Sequence, residues 1–209
     1  MAGDAERLLT PLRRASLDVA ASLEPDPRSL LDVGCGSGAL LRLAAGQFPG
    51  ARRAGIDPSE DAILHADGAG AELVQACAET IPFADRTFDV VISVLRYHCW
   101  ADQKQGLCEI ARVLAPGGAL VLADRTGPEH VESLVAEAGL VVDDVVPVLS
   151  VGPLAIVSAV TARRPIIYGG WSGCGRRSGR QFGSVRWIGA GARAGACGDQ
   201  ARERGRFHS

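Results

Sequence analysis

An apolar run that passes straight into alternating glycines, LLDVGCGSGALL over residues 30–41, constrains this chain more than any other stretch. Gly34, Gly36 and Gly38 occupy every second position. Such a turn carries little side-chain bulk, tolerates left-handed backbone, and leaves the N–H groups of the following helix open to an anionic or polar ligand. The spacing departs from the dinucleotide fingerprint G-x-G-x-x-G, since Ala39 and Leu40 follow Gly38 and Asp32 stands directly ahead. Taken alone, the turn suits several nucleotides.

The flanking pattern sets the fold class. Residues 5–23 have helical apolar spacing and stop at EPDP, Ser29–Val33 reads as a strand, and residues 40–48 as the helix behind the glycine turn. ARRAGID is a second strand ending at Asp57, which completes a βαβ unit. SEDAILHADGAG then reads as a helix, AELVQAC as a short strand and ETIPFADRT as a loop. FDVVISVL is almost continuously apolar and β-branched, the pattern of a parallel strand buried on both faces. Residues 103–114 form a helix, Pro116-Gly117-Gly118 a turn, ALVLAD a buried strand, and residues 128–138 a last helix. GLVVDDVVPVL and PLAIVSAVTARR follow as paired strands. The expected architecture is an α/β, doubly wound, mostly parallel Rossmann-like sheet with antiparallel closing strands. Ligands bind such sheets at the carboxyl ends of the strands, here Asp32–Gly38, Asp57, Cys77–Glu79, Ser93–Trp100 and Asp124.

Composition narrows the setting. No apolar run reaches the ~18 residues of a membrane span, and MAGDAERLL has no export-signal pattern, so a cytoplasmic protein without membrane contact is expected. The cysteines at 35, 77, 99, 108, 174 and 197 have no zinc-site spacing and read as free thiols, with no metal implied. Residues 1–164 carry 14 basic against 22 acidic side chains, whereas residues 165–209 carry 8 arginines against 2 acids and 11 glycines. We therefore expect a folded domain over 1–164 and a Gly/Arg-rich, disordered tail over 165–209. Arginines interleaved with Trp171, Phe182 and Trp187 give the tail alone a nucleic-acid reading.

Four motifs together, LLDVGCGSGALL, AGIDPSE, FDVVISVLRYHCW and EIARVLAPGGALVLAD, resemble the class I S-adenosylmethionine-dependent methyltransferases, in particular the broad bacterial group acting on small molecules. The resemblance covers about residues 28–164. It implies that Gly34, Gly36 and Gly38 contact the methionine part of S-adenosylmethionine through their backbone. Asp32 then fixes the loop and the ammonium group, Asp57 holds the ribose, Pro58 lies against adenine, and Ala78 offers its N–H to the base. Each carboxylate also has a plainer reading, Asp32 as a cap of the turn and Asp57 as a cap of the next helix. Cys77 stands where the group commonly has an acid that accepts from the adenine amino group; a thiol is a poor acceptor, which leaves three readings: weaker cofactor binding, substitution by nearby Glu79, or Cys77 as small buried filler with binding intact.

Methyl transfer asks for alignment of a nucleophile, and for a base only when that nucleophile must lose a proton. His98 matches a histidine common in the group and is the candidate base, with packing at the rim as its structural alternative; Tyr97 and Trp100 are candidate pocket walls. The partner is a small-molecule acceptor. Two other functions fit parts of the chain: a degenerate, inactive methyltransferase-like module, and a nicotinamide-dependent oxidoreductase. The second lacks a Tyr-x-x-x-Lys pair, since Ala101 and Ser172 stand four residues after Tyr97 and Tyr168.

Overall fold

The computed structural model describes residues 2–151 and 154–166, so the tail reading, including Trp171, Phe182 and Trp187, lies outside the described residues. In chain order the elements are α1 (Ala2–Leu23), β1 (Ser29–Val33), α2 (Ala39–Gln47), β2 (Arg52–Asp57), α3 (Glu60–His65) and β3 (Glu72–Gln75). There follow β4 (Phe88–Val94), a 3₁₀ turn (Tyr97–Cys99), α4 (Gln103–Val113), β5 (Leu114–Asp124), α5 (Pro128–Glu137), β6 (Val141–Val151) and β7 (Leu154–Arg163). The strands form one sheet of order β3-β2-β1-β4-β5-β7-β6. Strands β1 to β5 run parallel, and β7 is antiparallel to both β5 and β6. This is the expected doubly wound sheet with its antiparallel closing pair.

The continuous apolar runs follow from cover on both faces. Successive strand residues point to opposite sides, so Leu31, Val91 and Leu120 join one core with Leu107 and Ile110 of α4 and Val131 of α5. Their neighbours Leu30, Val90 and Val121 join a second core with Leu12 and Leu17 of α1 and Leu41 of α2. Strand order reverses between β1 and β4, whose pairing runs from Leu30↔Val90 to Asp32↔Ile92. The crevice at that reversal is where such sheets hold ligands.

Two expectations change. The helix begun at SEDAILH ends at His65, because the next residues are drawn to the glycine turn: Asp67 N–H donates to Ser37 O, and Arg42 Nη1 donates to the carbonyls of both Ser37 and Asp67. Pro116-Gly117-Gly118 does not turn the chain between elements but bulges within β5, where the register jumps from Phe88↔Leu114 to Val90↔Ala119. A Cβ on Gly118 would lie 2.9 Å from Ala115 O and 3.0 Å from Asp89 O, so the bulge needs glycine.

The sheet is closed below by Arg164, which is 3% exposed. Its Nη1 donates to the carbonyls of Ala111, Arg112 and Leu114 at the end of α4, where Arg112 O also accepts from Arg86 N–H.

Candidate active site

The glycine turn has the backbone its sequence calls for. Gly34, Gly36 and Gly38 have φ of 83°, 51° and 77°. A Cβ on Gly38 would lie 2.7 Å from Asp67 O, and one on Gly34 would lie 2.4 Å from Cγ of Arg96. The turn therefore hosts Arg96 as well as offering a ligand surface; Arg96 Nε donates to Gly34 O at 3.3 Å.

Asp32, at the carboxyl end of β1, is 3% exposed. Burial pushes its carboxyl up to about 7, against the pull of Arg13 and Arg96 and with a smaller push from Asp57. Among the described residues none donates a hydrogen bond to it. The neighbouring Cys35 thiol is pushed up by burial and then by Asp32 and Asp57, so it stays protonated.

Asp57, at the end of β2, joins two loops. Its Oδ2 accepts from Gly36 N–H at 2.9 Å and its Oδ1 from Ser59 N–H at 3.0 Å. It thus caps the α3 entry and clamps the glycine turn, with lone pairs left over for further donors. Pro58 O accepts from Gln75 Nε2. Ala78 is buried, and Thr80 N–H donates to Cys77 O.

The adenine side departs from expectation in its cysteines. Cys77 and Cys108 are disulfide-bonded, not free thiols, whereas Cys35 and Cys99 are free. Spacing does not show which sulfurs a fold brings together. Glu79 is engaged at the start of α4, its Oε1 accepting from the N–H groups of Ala101 and Asp102.

A cavity of about 310 Å³ opens beside the turn, lined by Asp32, Gly34, Arg13, Arg96, His98 and Arg125 among others. A second, of about 370 Å³, follows Gly36, Ser37, Ala62 and His65, and Arg96 borders both. Asp57, Pro58, Cys77 and Ala78 line neither.

His98 follows β4 in the 3₁₀ turn and meets the end of β5. Its Nδ1 lies 3.0 Å from Oδ2 of Asp124, whose side chain is 1% exposed. Asp124 also accepts from Thr126 N–H and Oγ1–H. Burial pushes the Asp124 carboxyl up, but the bonds from His98 and Thr126 together outweigh it and hold it below its ordinary value. A carboxylate kept ionised in this way orients the imidazole and leaves Nε2 for other work. Asp124 is legible in sequence only as a strand end, and Arg13, Arg96 and Arg125 carry no local signal.

Tyr97 and Trp100 are not pocket walls. Tyr97 is fully buried, in edge contact with the Trp100 ring at 5.1 Å, and its hydroxyl has no hydrogen-bond partner among the described residues. Trp100 packs on Gly106, where a Cβ would lie 2.7 Å from Cε3. Among the described residues no three His, Cys, Asp or Glu side chains form a group that could hold a metal ion, and no helix is long and apolar enough to cross a membrane.

Comparison with known proteins agrees with this geometry. Residues 31–122 match the family described as methyltransferase domain. A fatty-acid O-methyltransferase of Mycolicibacterium smegmatis is 36% identical over 109 residues, 50% of this chain and 40% of that protein. A demethylmenaquinone methyltransferase of Thermus thermophilus is 37% identical over 122 residues, 56% of this chain and 54% of that protein. The chain thus spans about half the length of the curated relatives it matches. An S-adenosylmethionine-dependent methyltransferase from Aquifex aeolicus shares the fold with a TM-score of 0.64 at 22% identity, over 78% of this chain and 98% of that one. Sheet order, glycine turn and sequence match together agree on a methyltransferase domain over residues 31–122, built on the fold of the class I S-adenosylmethionine-dependent methyltransferases.

Proposed function

We propose that this chain methylates a small-molecule acceptor, with Asp32 as the anchor for the cofactor's amino-acid end and His98 as the group that takes the acceptor's proton. The observation that carries the first role is Asp32 itself: a 3% exposed carboxylate, bordering a cavity and receiving no hydrogen bond from a described residue, suits an ammonium group. Arg13 and Arg96, which act on Asp32, are in place for the adjoining carboxylate. Gly34, Gly36 and Gly38 keep the backbone open along the same edge, and Asp57 has acceptor capacity left for ribose hydroxyls. Pro58, Cys77 and Ala78 follow at the adenine side, with backbone rather than side-chain polarity to offer.

Held by Asp32, Asp57 and the glycine turn, S-adenosylmethionine would supply an electrophilic methyl group on a sulfonium leaving group. His98, held by Asp124 through Nδ1, accepts the acceptor's proton at Nε2 and later yields it to water. This dyad favours a hydroxyl or similar protic acceptor. Similarity to a fatty-acid O-methyltransferase and a demethylmenaquinone methyltransferase supports a small organic acceptor. A cytoplasmic setting and the division into residues 1–164 and a separate tail belong to the same proposal.

Titration of the full chain with S-adenosylhomocysteine by calorimetry, followed by methyl transfer assays on a panel of phenols, hydroxy acids and amines, tests it. Micromolar binding with turnover on a protic acceptor is expected; absence of binding overturns it.

A further inference from the structure

The cavity beside the glycine turn holds more positive charge than the cofactor uses. Three guanidinium groups from three parts of the chain border it: Arg13 from α1, Arg96 from the segment after β4, and Arg125 from the segment after β5. Arg13 and Arg96 act on the buried Asp32, and the stem of Arg96 lies on Gly34. Those two belong with the amino-acid end of the cofactor, which brings a single carboxylate.

Arg125 is different. It is exposed, borders the same cavity as His98, and makes no hydrogen bond or ion pair with another described residue. The adjacent carboxylate does not neutralise it, because Asp124 is committed to His98 and Thr126. Leu9, Val94 and Leu95 supply apolar lining of the same cavity. An unengaged guanidinium fork in a cavity with apolar lining matches a planar carboxylate attached to a hydrocarbon body.

We infer that the acceptor is a hydroxy acid: its carboxylate docks on Arg125, its carbon skeleton lies along Leu9, Val94 and Leu95, and its hydroxyl faces His98. This rests on the methyltransferase reading above and adds the substrate class. The anionic group is recognised, not methylated, which is why a base is present at all.

The test uses the full chain saturated with S-adenosylhomocysteine. 4-Hydroxybenzoate and 3-hydroxydecanoate are each titrated by calorimetry beside the corresponding primary amide, against wild type, Arg125→Gln and Arg125→Lys. At least one acid is expected to bind about tenfold or more tightly than its amide. Arg125→Gln erases that ratio and Arg125→Lys restores part of it, while S-adenosylhomocysteine affinity stays as in wild type. Equal binding of acid and amide, no binding of either pair, or an acid preference that survives Arg125→Gln overturns the inference. Failure of wild type to bind S-adenosylhomocysteine refutes instead the reading on which it rests.

Discussion

The side chain of Arg96 lies so close over Gly34 that a Cβ on the glycine would sit 2.4 Å from its Cγ and 2.8 Å from its Cβ. The first glycine of the turn is therefore required from within the protein as well as by any ligand. Gly34→Ala meets two costs, a φ of 83° and the Arg96 stem. We expect a loss of about 2 to 4 kcal/mol in urea unfolding, with Arg96→Ala in the same chain recovering only the part due to Cγ and Cδ, since the contact with its Cβ at 2.8 Å and the positive φ both remain. Full recovery would show that backbone conformation carries no cost there.

Asp32 makes the cofactor site sensitive to pH. Its carboxyl, raised from 3.8 to about 7 chiefly by burial, holds a proton in the folded chain over a range where the unfolded chain has lost it. The contribution to stability is thus full below about pH 4 and declines as pH rises to about 7, by on the order of 4 kcal/mol. Asp32→Asn should unfold at higher temperature than wild type at pH 8 and bind S-adenosylhomocysteine far more weakly. Because an ammonium group favours the ionised carboxylate, wild-type affinity should fall as pH drops below 7, with proton release on binding measurable in buffers of different ionisation enthalpy.

The pair His98 and Asp124 predicts a division between binding and turnover. His98→Gln should lower kcat on a protic acceptor by about 10² to 10⁴-fold and remove the acid limb of the pH–rate profile, leaving cofactor affinity in place. Asp124→Asn should act in the same direction through imidazole orientation. An unchanged profile in His98→Gln would assign His98 to packing.

Tyr97 buries a hydroxyl that has no hydrogen-bond partner among the described residues, and its pKa is pushed up to about 12 by burial and then by Asp124. Tyr97→Phe keeps the ring against Trp100 and should stabilise the chain by about 1 kcal/mol in denaturant titration.

Arg164 should matter more than its place near the end of the described chain suggests. Arg164→Met takes the guanidinium away from the carbonyls of Ala111, Arg112 and Leu114, of which Arg112 O keeps the N–H of Arg86, at an expected cost of about 3 kcal/mol, read as a lower urea midpoint at unchanged slope.

By itself the sequence determined the order of elements, the two-sided burial of β4 and the conformation of the glycine turn. All three depend on neighbours within a few residues: alternating side-chain direction, β-branched runs, and positions without a Cβ. Asp32 and Asp57 were legible as strand ends for the same reason. Tertiary structure alone decided that Arg96 covers Gly34, 62 residues away, that Asp124 orients His98 across 26 residues, and that Glu79 serves the start of α4. It also decided that Asp32 sits dry enough to hold a proton near neutral pH. Such partnerships depend on which strand ends the sheet order sets side by side, and a carboxylate's affinity for a proton depends on how much water the assembled layers exclude.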